Sequence, residues 1–147
     1  MGTVIESAGP EDAAMTTDPV TTLIEAIDRK DAAGIRAAYA DDARLVAVTP
    51  NTFQTADGGD AVAARLAEWF TTWEEGPAYS FIAVTREGDR AVIDFERTST
   101  FEGKPWVVRQ AHVLEVGADG VRAHRMYCCG PKEGEPDLAR ALAGSAS

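Results

Sequence analysis

Along the chain the spacing of apolar positions changes once. From Asp18 to Trp73 apolar residues recur mainly three and four apart, with one β-branched interruption; from Tyr79 to Cys129 they alternate every second residue. Asp18-Pro19 opens the first helix, with Asp as N-cap and Pro at the first helical position, and Val20, Leu23, Ile24 and Ile27 form its apolar face as far as Lys30. Asp31 can cap a second, shorter helix with Ile35, Ala38 and Tyr39 on its face, closed by Asp41-Asp42. The segment ARLVAVTP, Ala43 to Pro50, predicts a strand that Pro50 stops before a polar loop, NTFQTADGG. A third helix follows over residues 60–73, with Val62, Leu66, Trp69, Phe70 and Trp73 on one stripe.

Glu75-Gly76-Pro77 ends the helical part. Strands are predicted at Tyr79 to Arg86, Ala91 to Phe101, Trp106 to Val116 and Val121 to Cys129, and their short connections, EGDR, EGKP and GADG, imply consecutive antiparallel hairpins. Residues 1–17 have no periodicity and predict a disordered N-terminal arm. Residues 131–147 predict a polar C-terminal tail with one short helix at Asp137 to Leu142. Helices followed by a meander of strands is an α+β pattern. Long amphipathic helices lying on the concave side of a curved antiparallel sheet would close a cone-shaped apolar cavity.

Charge narrows the choice of partner. The chain of 147 residues carries 14 Lys plus Arg against 24 Asp plus Glu, a net charge of −10, and its longest basic run is a pair, which argues against nucleic acid and against anionic membrane surfaces. No apolar run is long enough to cross a bilayer and the first residues do not resemble a secretion signal, so a cytoplasmic location is expected. The cysteines, Cys128 and Cys129, are adjacent: they close no useful loop and make no zinc site by themselves. TADGGD, Thr55 to Asp60, lacks the lysine and the preceding strand of a phosphate-binding loop. Neither a metal nor a cofactor is expected.

The order ααβαββββ, the segment YADDARLVAV, the helix GxDAVAARLAEWF and the ending VLEVGADGVRAHRMYCCG together resemble the nuclear transport factor 2-like superfamily, in its SnoaL-like branch, over residues 18–130. The resemblance implies an NTF2-like or cystatin-like roll: a cone-shaped curved antiparallel sheet with three helices of the N-terminal half closing a cavity. It also implies a hydrophobic small-molecule ligand and a homodimer. Two functional readings follow. One is a cofactor-independent cyclase or isomerase using acid–base chemistry on a polyketide- or terpenoid-like molecule; the other is a non-catalytic binding or assembly module. Fold alone does not choose between them.

Strand alternation puts Trp106, Val108, Gln110, His112 and Leu114 on one face and Val107, Arg109, Ala111 and Val113 on the other. The register implied by the resemblance turns Arg97, Ser99, His112, Met126 and Cys128 toward the cavity. His112 is the leading catalytic candidate, since a neutral imidazole can exchange a proton near neutral pH; it can equally be a hydrogen-bonded wall residue. Arg97 could bind an oxygen of the substrate, or pair with Asp94, Glu96 or Glu115. Ser99 and Tyr39 complete the catalytic candidates, with Tyr39 either near the cavity or in the core. Trp69, Trp73, Phe95, Trp106, Gln110, Met126 and Cys128 are the candidate substrate-binding residues.

Departures from the family pattern matter as much. The catalytic aspartate of SnoaL-type cyclases falls at what looks like Met126, and two of the three groups used by limonene-epoxide hydrolases are replaced by Ser99 and Met126. Neither mechanism could run unchanged. Cys128 offers a nucleophile in principle, though a buried cysteine is usually an inert small hydrophobe. Asp94 and Glu96 share a strand face, either as a carboxylate pair or as solvated or dimer-facing surface.

Overall fold

The computed structural model describes residues 3–7, 18–72 and 79–145. In chain order the elements are β1 (Thr3–Ser7), α1 (Pro19–Arg29), α2 (Ala32–Ala37), β2 (Tyr39–Val48), β3 (Phe53–Asp57), α3 (Gly59–Phe70), β4 (Phe81–Glu87), β5 (Arg90–Phe101), β6 (Lys104–Gly117), β7 (Gly120–Cys128), β8 (Lys132–Glu133) and α4 (Leu138–Ser145). One curved sheet runs in the order β1-β4-β5-β6-β7-β2-β3, with β8 added to β6. The meander β4 to β7 is antiparallel as expected, but the sheet is mixed, because β2 runs parallel to β7 and β1 parallel to β4.

Local signals account for the helices. Asp18 caps α1 by accepting from the Thr21 amide at 3.0 Å, and Asp31 caps α2 by accepting from Gly34 at 3.0 Å. Lys30 takes the left-handed conformation at φ 56° and closes α1. Val20, Leu23, Ile24, Ala26 and Ile27 of α1 are buried against the sheet, with Ile35 of α2 and Val62, Ala63, Leu66 and Phe70 of α3. From the concave face they meet Leu45, Ala47, Ile82, Val84, Ile93, Phe95, Leu114 and Met126.

Three local expectations are corrected. Helix α2 stops at Ala37, and Tyr39, expected on its face, already belongs to β2; pairing Tyr39 with Val121, reinforced by a Val121 amide bond to the Ala38 carbonyl at 2.9 Å, outweighs helix propensity. The loop NTFQTADGG contains β3, which pairs antiparallel with β2 from Val48–Phe53 to Arg44–Asp57. As an edge strand with Phe53 exposed, it carries no apolar alternation to announce it. Within the predicted arm, Thr3–Ser7 forms a strand that covers the edge of β4, where unpaired backbone groups accept a β-branched partner. Helix α3 is followed as far as Phe70, and Trp73 lies outside the described residues.

The convex face of the sheet is not simply solvated. Glu96 is 1% exposed there, and its carboxylate accepts from Arg109 Nε at 2.9 Å, from Ser80 Oγ at 3.3 Å and from the amides of Asp137 and Leu138 at 3.3 Å. Arg109 also pairs with Asp137. The tail therefore docks: Glu96 satisfies the first amides of α4, and β8 extends the sheet beside Trp106 and Val107. Asp94 and Glu96 do share a face, but Glu96 is a buried anchor for the C-terminal segment, neither solvated surface nor half of a carboxylate pair.

Candidate functional site

A line of polar side chains crosses the concave face. In the β6–β7 ladder His112 stands opposite Met126, Gln110 opposite Cys128 and Leu114 opposite His124. His112 and His124 are thus diagonal neighbours on one face, close enough for their side chains to meet. Tyr39, at the start of β2, brings its phenol against His124 from the next strand pairing.

The contacts are continuous. Tyr39 Oη lies 2.7 Å from His124 Nδ1; His124 Nε2 lies 2.8 Å from His112 Nδ1; His112 Nε2 lies 2.8 Å from Gln110 Oε1; and Gln110 Nε2 donates to Cys128 Sγ at 3.5 Å. Cys128 Sγ also accepts from the Gly130 amide at 3.3 Å. Phe95 stacks edge-on against His112, Phe70 and Tyr79, each with ring centroids 5.7 Å apart, which walls the line in.

Burial decides the protonation. His112 is 4% and His124 1% exposed. Desolvation brings His112 down to about 4 and holds His124 well below its ordinary value, the neighbouring His112 adding to the effect. Burial also pushes the Tyr39 phenol far above its ordinary value. At neutral pH both rings are neutral and the phenol keeps its proton.

With one proton on each ring, the line has two internally consistent directions. If Tyr39 donates to His124 Nδ1, then His124 Nε2–H donates to His112 Nδ1 and His112 Nε2–H donates to Gln110 Oε1, leaving only the thiol proton of half-buried Cys128 at the end. The reverse direction would strand the Tyr39 hydroxyl proton in the core, at a cost of about 1–3 kcal/mol. The first direction also matches the Gln110 amide as placed, with its NH2 on the thiol.

The other predicted residues divide between wall and rim. Met126 is buried inside, as the register implied. Phe95 is also inside, as core rather than open wall. Trp69 is half-buried against the core, with Arg65 Cζ 5.8 Å from its ring. Arg97 faces inward with its guanidinium 5.8 Å over Phe70, while the ion pair of Glu96 goes to Arg109 on the opposite face. Burial lowers the Arg97 pKa, and Cys128 nearby works in the opposite sense. Ser99 is exposed toward the end of β5, apart from the buried line. Trp106, half-buried opposite Ser99, has its indole Nε1 buried without a hydrogen-bond partner among the described residues.

His124 was absent from the predicted site. The signal was present, because the alternation that turns Met126 and Cys128 inward turns His124 inward too.

Two spaces border these strands. The one against His112 and His124, under Leu23, Ile24 and Ile27, amounts to about 10 Å³, at the threshold for a single water. Among the described residues the apolar cone expected from the fold is therefore packed with its own side chains beside His112 and His124. The other, on the convex face, is an open groove of about 630 Å³ bounded by Val48, Asp94, Arg109, Ala111, Tyr127 and Leu138, within the usual size of a small-molecule site. Gln110 borders the groove from strand β6, but its side chain turns to the opposite face, onto His112. Among the described residues no cluster of His, Cys, Asp or Glu could hold a metal, and no helix is long and apolar enough to cross a membrane.

Comparison with known proteins agrees with this architecture. A structure from Catenulispora acidiphila with a ketosteroid isomerase-like fold, in complex with trimethylamine, superposes with a TM-score of 0.54 at 19% identity, over 77% of this chain and 86% of that one. An NTF2-like protein from Burkholderia xenovorans gives 0.52 at 16% identity, over 83% and 88%. An epoxide hydrolase from M. tuberculosis, resembling limonene-epoxide hydrolases, gives 0.53 at 16% identity, over 75% and 79%. At such identities the likeness is one of fold. No curated protein matches the sequence. The family described as SnoaL-like domain matches residues 20–124, most of the chain, and the protein belongs to that family, on the NTF2-like fold.

Proposed function

We propose that the protein is a cofactor-independent enzyme of the isomerase or cyclase kind, acting on a hydrophobic, oxygen-bearing small molecule through His112. The observation that carries this reading is the Tyr39–His124–His112–Gln110 line. A core needs no such line, since apolar residues of equal volume would pack there without desolvating two imidazoles and a phenol. Ligand would reach His112 from the concave side, by opening the space of about 10 Å³ under Leu23, Ile24 and Ile27. Arg97 and the Trp106 indole N–H, on the same sheet face, would offer further donors to its oxygens. The loss of aspartate at Met126 and Ser99 favours chemistry built on the imidazole over epoxide hydrolysis.

The test is turnover of a panel of enolisable polyketide- and terpenoid-like ketones, followed by mass and by proton exchange with deuterated water. Loss of activity in His112→Ala, with the fold intact by circular dichroism, supports the assignment; unchanged turnover in that variant removes it. The second reading, a non-catalytic binding module, is favoured by the packing beside His112 and His124, which leaves about 10 Å³. Binding of the panel ketones without conversion would establish it. Tyr127, 46% exposed on the outer sheet face, suits a homodimer contact, which Tyr127→Glu should weaken in light scattering.

A further inference from the structure

The convex face of the sheet carries a space of its own. One row of residues crosses it: Phe53, Val48, Tyr127, Ala111 and Asp94 stand opposite one another from β3 to β5. Paired residues point to the same side of a sheet, and this row points away from the core, since the chain neighbours Ile93, Phe95, His112 and Met126 are buried on the concave side. Ala111 is the smallest side chain of the row and stands between an aromatic ring and a carboxylate, so the surface dips there into the open groove of about 630 Å³. Pro50 and Leu138 wall the groove, and Leu138 is held in place because Glu96 accepts from its amide at 3.3 Å.

We propose that this groove is a binding site for a small organic cation, an arylalkylammonium, with its ammonium on Asp94 and its apolar body over Ala111 against Tyr127 and Val48. Among the described residues two charged side chains line the groove, Asp94 and Arg109. Arg109 is already engaged by Glu96 and Asp137, so it has little to offer an incoming anion. Asp94 is half-buried and makes no hydrogen bond or ion pair among the described residues. Its carboxylate has lost part of its water and gained no partner; a bound ammonium would supply one as a charge-assisted hydrogen bond. Adjacent strands lie about 4.8 Å apart, so Asp94 and Tyr127, two strands from each other, are separated by roughly 10 Å, the reach of an amine on a short chain from an aromatic ring. The net charge of −10 draws cations toward the whole surface, and in this groove a carboxylate adjoins apolar area. The site lies across the sheet from His112 and does not depend on the reaction proposed there.

The test is a 19F NMR titration of the whole protein at pH 7.5 with para-fluorophenethylamine and, as a neutral counterpart of the same size, para-fluorophenethyl alcohol, with the location read from backbone amide shifts. The amine should bind roughly tenfold tighter than the alcohol, the worth of one hydrogen bond to a charged group, and should move the amides of Ala111 and Tyr127. Asp94→Asn should bring the amine down to the affinity of the alcohol and leave the alcohol unchanged. Asp119→Asn, which removes the same charge from the exposed turn between β6 and β7, should change neither. Equal affinity of the two probes for the wild-type protein overturns the proposal. An equal loss in both variants does so too, by assigning the effect to net charge, as do amide shifts confined to the concave face. A second copy seated on Tyr127 would close the groove: binding of neither probe to a protein that light scattering shows to be dimeric gives this face to the second copy, and binding of neither to a monomer removes the ligand class, so either result overturns the proposal.

Discussion

Acidification should unfold this protein in a pH window set by its buried histidines. The perturbation is a change from pH 7.5 to 4.5. His112 has an ordinary value of 6.5 and sits at about 4 in the fold, by desolvation. Between those values the unfolded chain binds a proton that the folded protein refuses, so stability falls as pH falls through the window and is fully present above 6.5. At ~1.4 kcal/mol per pH unit, the proton this one ring refuses costs the fold about 3 kcal/mol once the pH has fallen to about 4. His124 is lowered in the same direction by burial and by His112, so its sign is the same. For a domain of this size that is a large share of total stability, on the order of 5–15 kcal/mol.

Urea titrations followed by tryptophan fluorescence at pH 7.5, 6.5, 5.5 and 4.5 measure it. With a slope of about 1.5 kcal/mol per molar, the midpoint should drop by roughly 2 M across the series. The Asp18 carboxylate does not imitate the effect. Asp18, whose carboxyl is raised by burial but held below 3.8 overall by hydrogen bonds from Arg86 and Thr21, loses its contribution only at lower pH. A midpoint that stays flat from pH 7.5 to 4.5 would refute the reasoning, since neutral desolvated imidazoles cannot be indifferent to that range.

Three further outcomes are expected. Tyr39→Phe should cost about 1–3 kcal/mol in urea unfolding, because it leaves the buried His124 Nδ1 without its donor; a change below measurement error would show that the phenol contributes only its ring. Glu96→Ala should release α4, with faster amide exchange over residues 138–145 and a loss of roughly 2 kcal/mol, less than a fully buried pair would give because Arg109 is 32% exposed. Unchanged exchange there would mean that the helix is held by something else. Gly120→Ala should lower Tm by several degrees, for φ there is +132° and an added Cβ would come 2.8 Å from the Ala38 carbonyl oxygen; a Tm equal to wild type would show that β2 and β7 can move apart at no cost.

How much was legible in the chain differs element by element. Asp18-Pro19, the Val20–Ile27 stripe and the alternation of β5 to β7 announce themselves because caps and amphipathic periods act over a few residues. Strand β3 did not, since Phe53 to Asp57 is recognised only by the partner it meets in β2. Alternation sorted His112, Met126 and Cys128 onto shared strand faces, and only the register implied by the family resemblance turned those faces inward, where His112 and Met126 are buried. Their partners could not be read, because a diagonal contact such as His112–His124 depends on register across two strands and not on spacing along one.

By itself, then, the sequence determined the helix-then-meander order, the family resemblance and the set of residues sharing each strand face. These follow from periodicity and side-chain chemistry within short windows. Tertiary structure alone decided that the cone is packed beside His112 and His124, that Glu96 is buried beneath the C-terminal helix, and that Tyr39, His124, His112 and Gln110 join into one directed line. Volume, desolvation and hydrogen-bond direction belong to the packed arrangement of distant segments, and no window along the chain contains them.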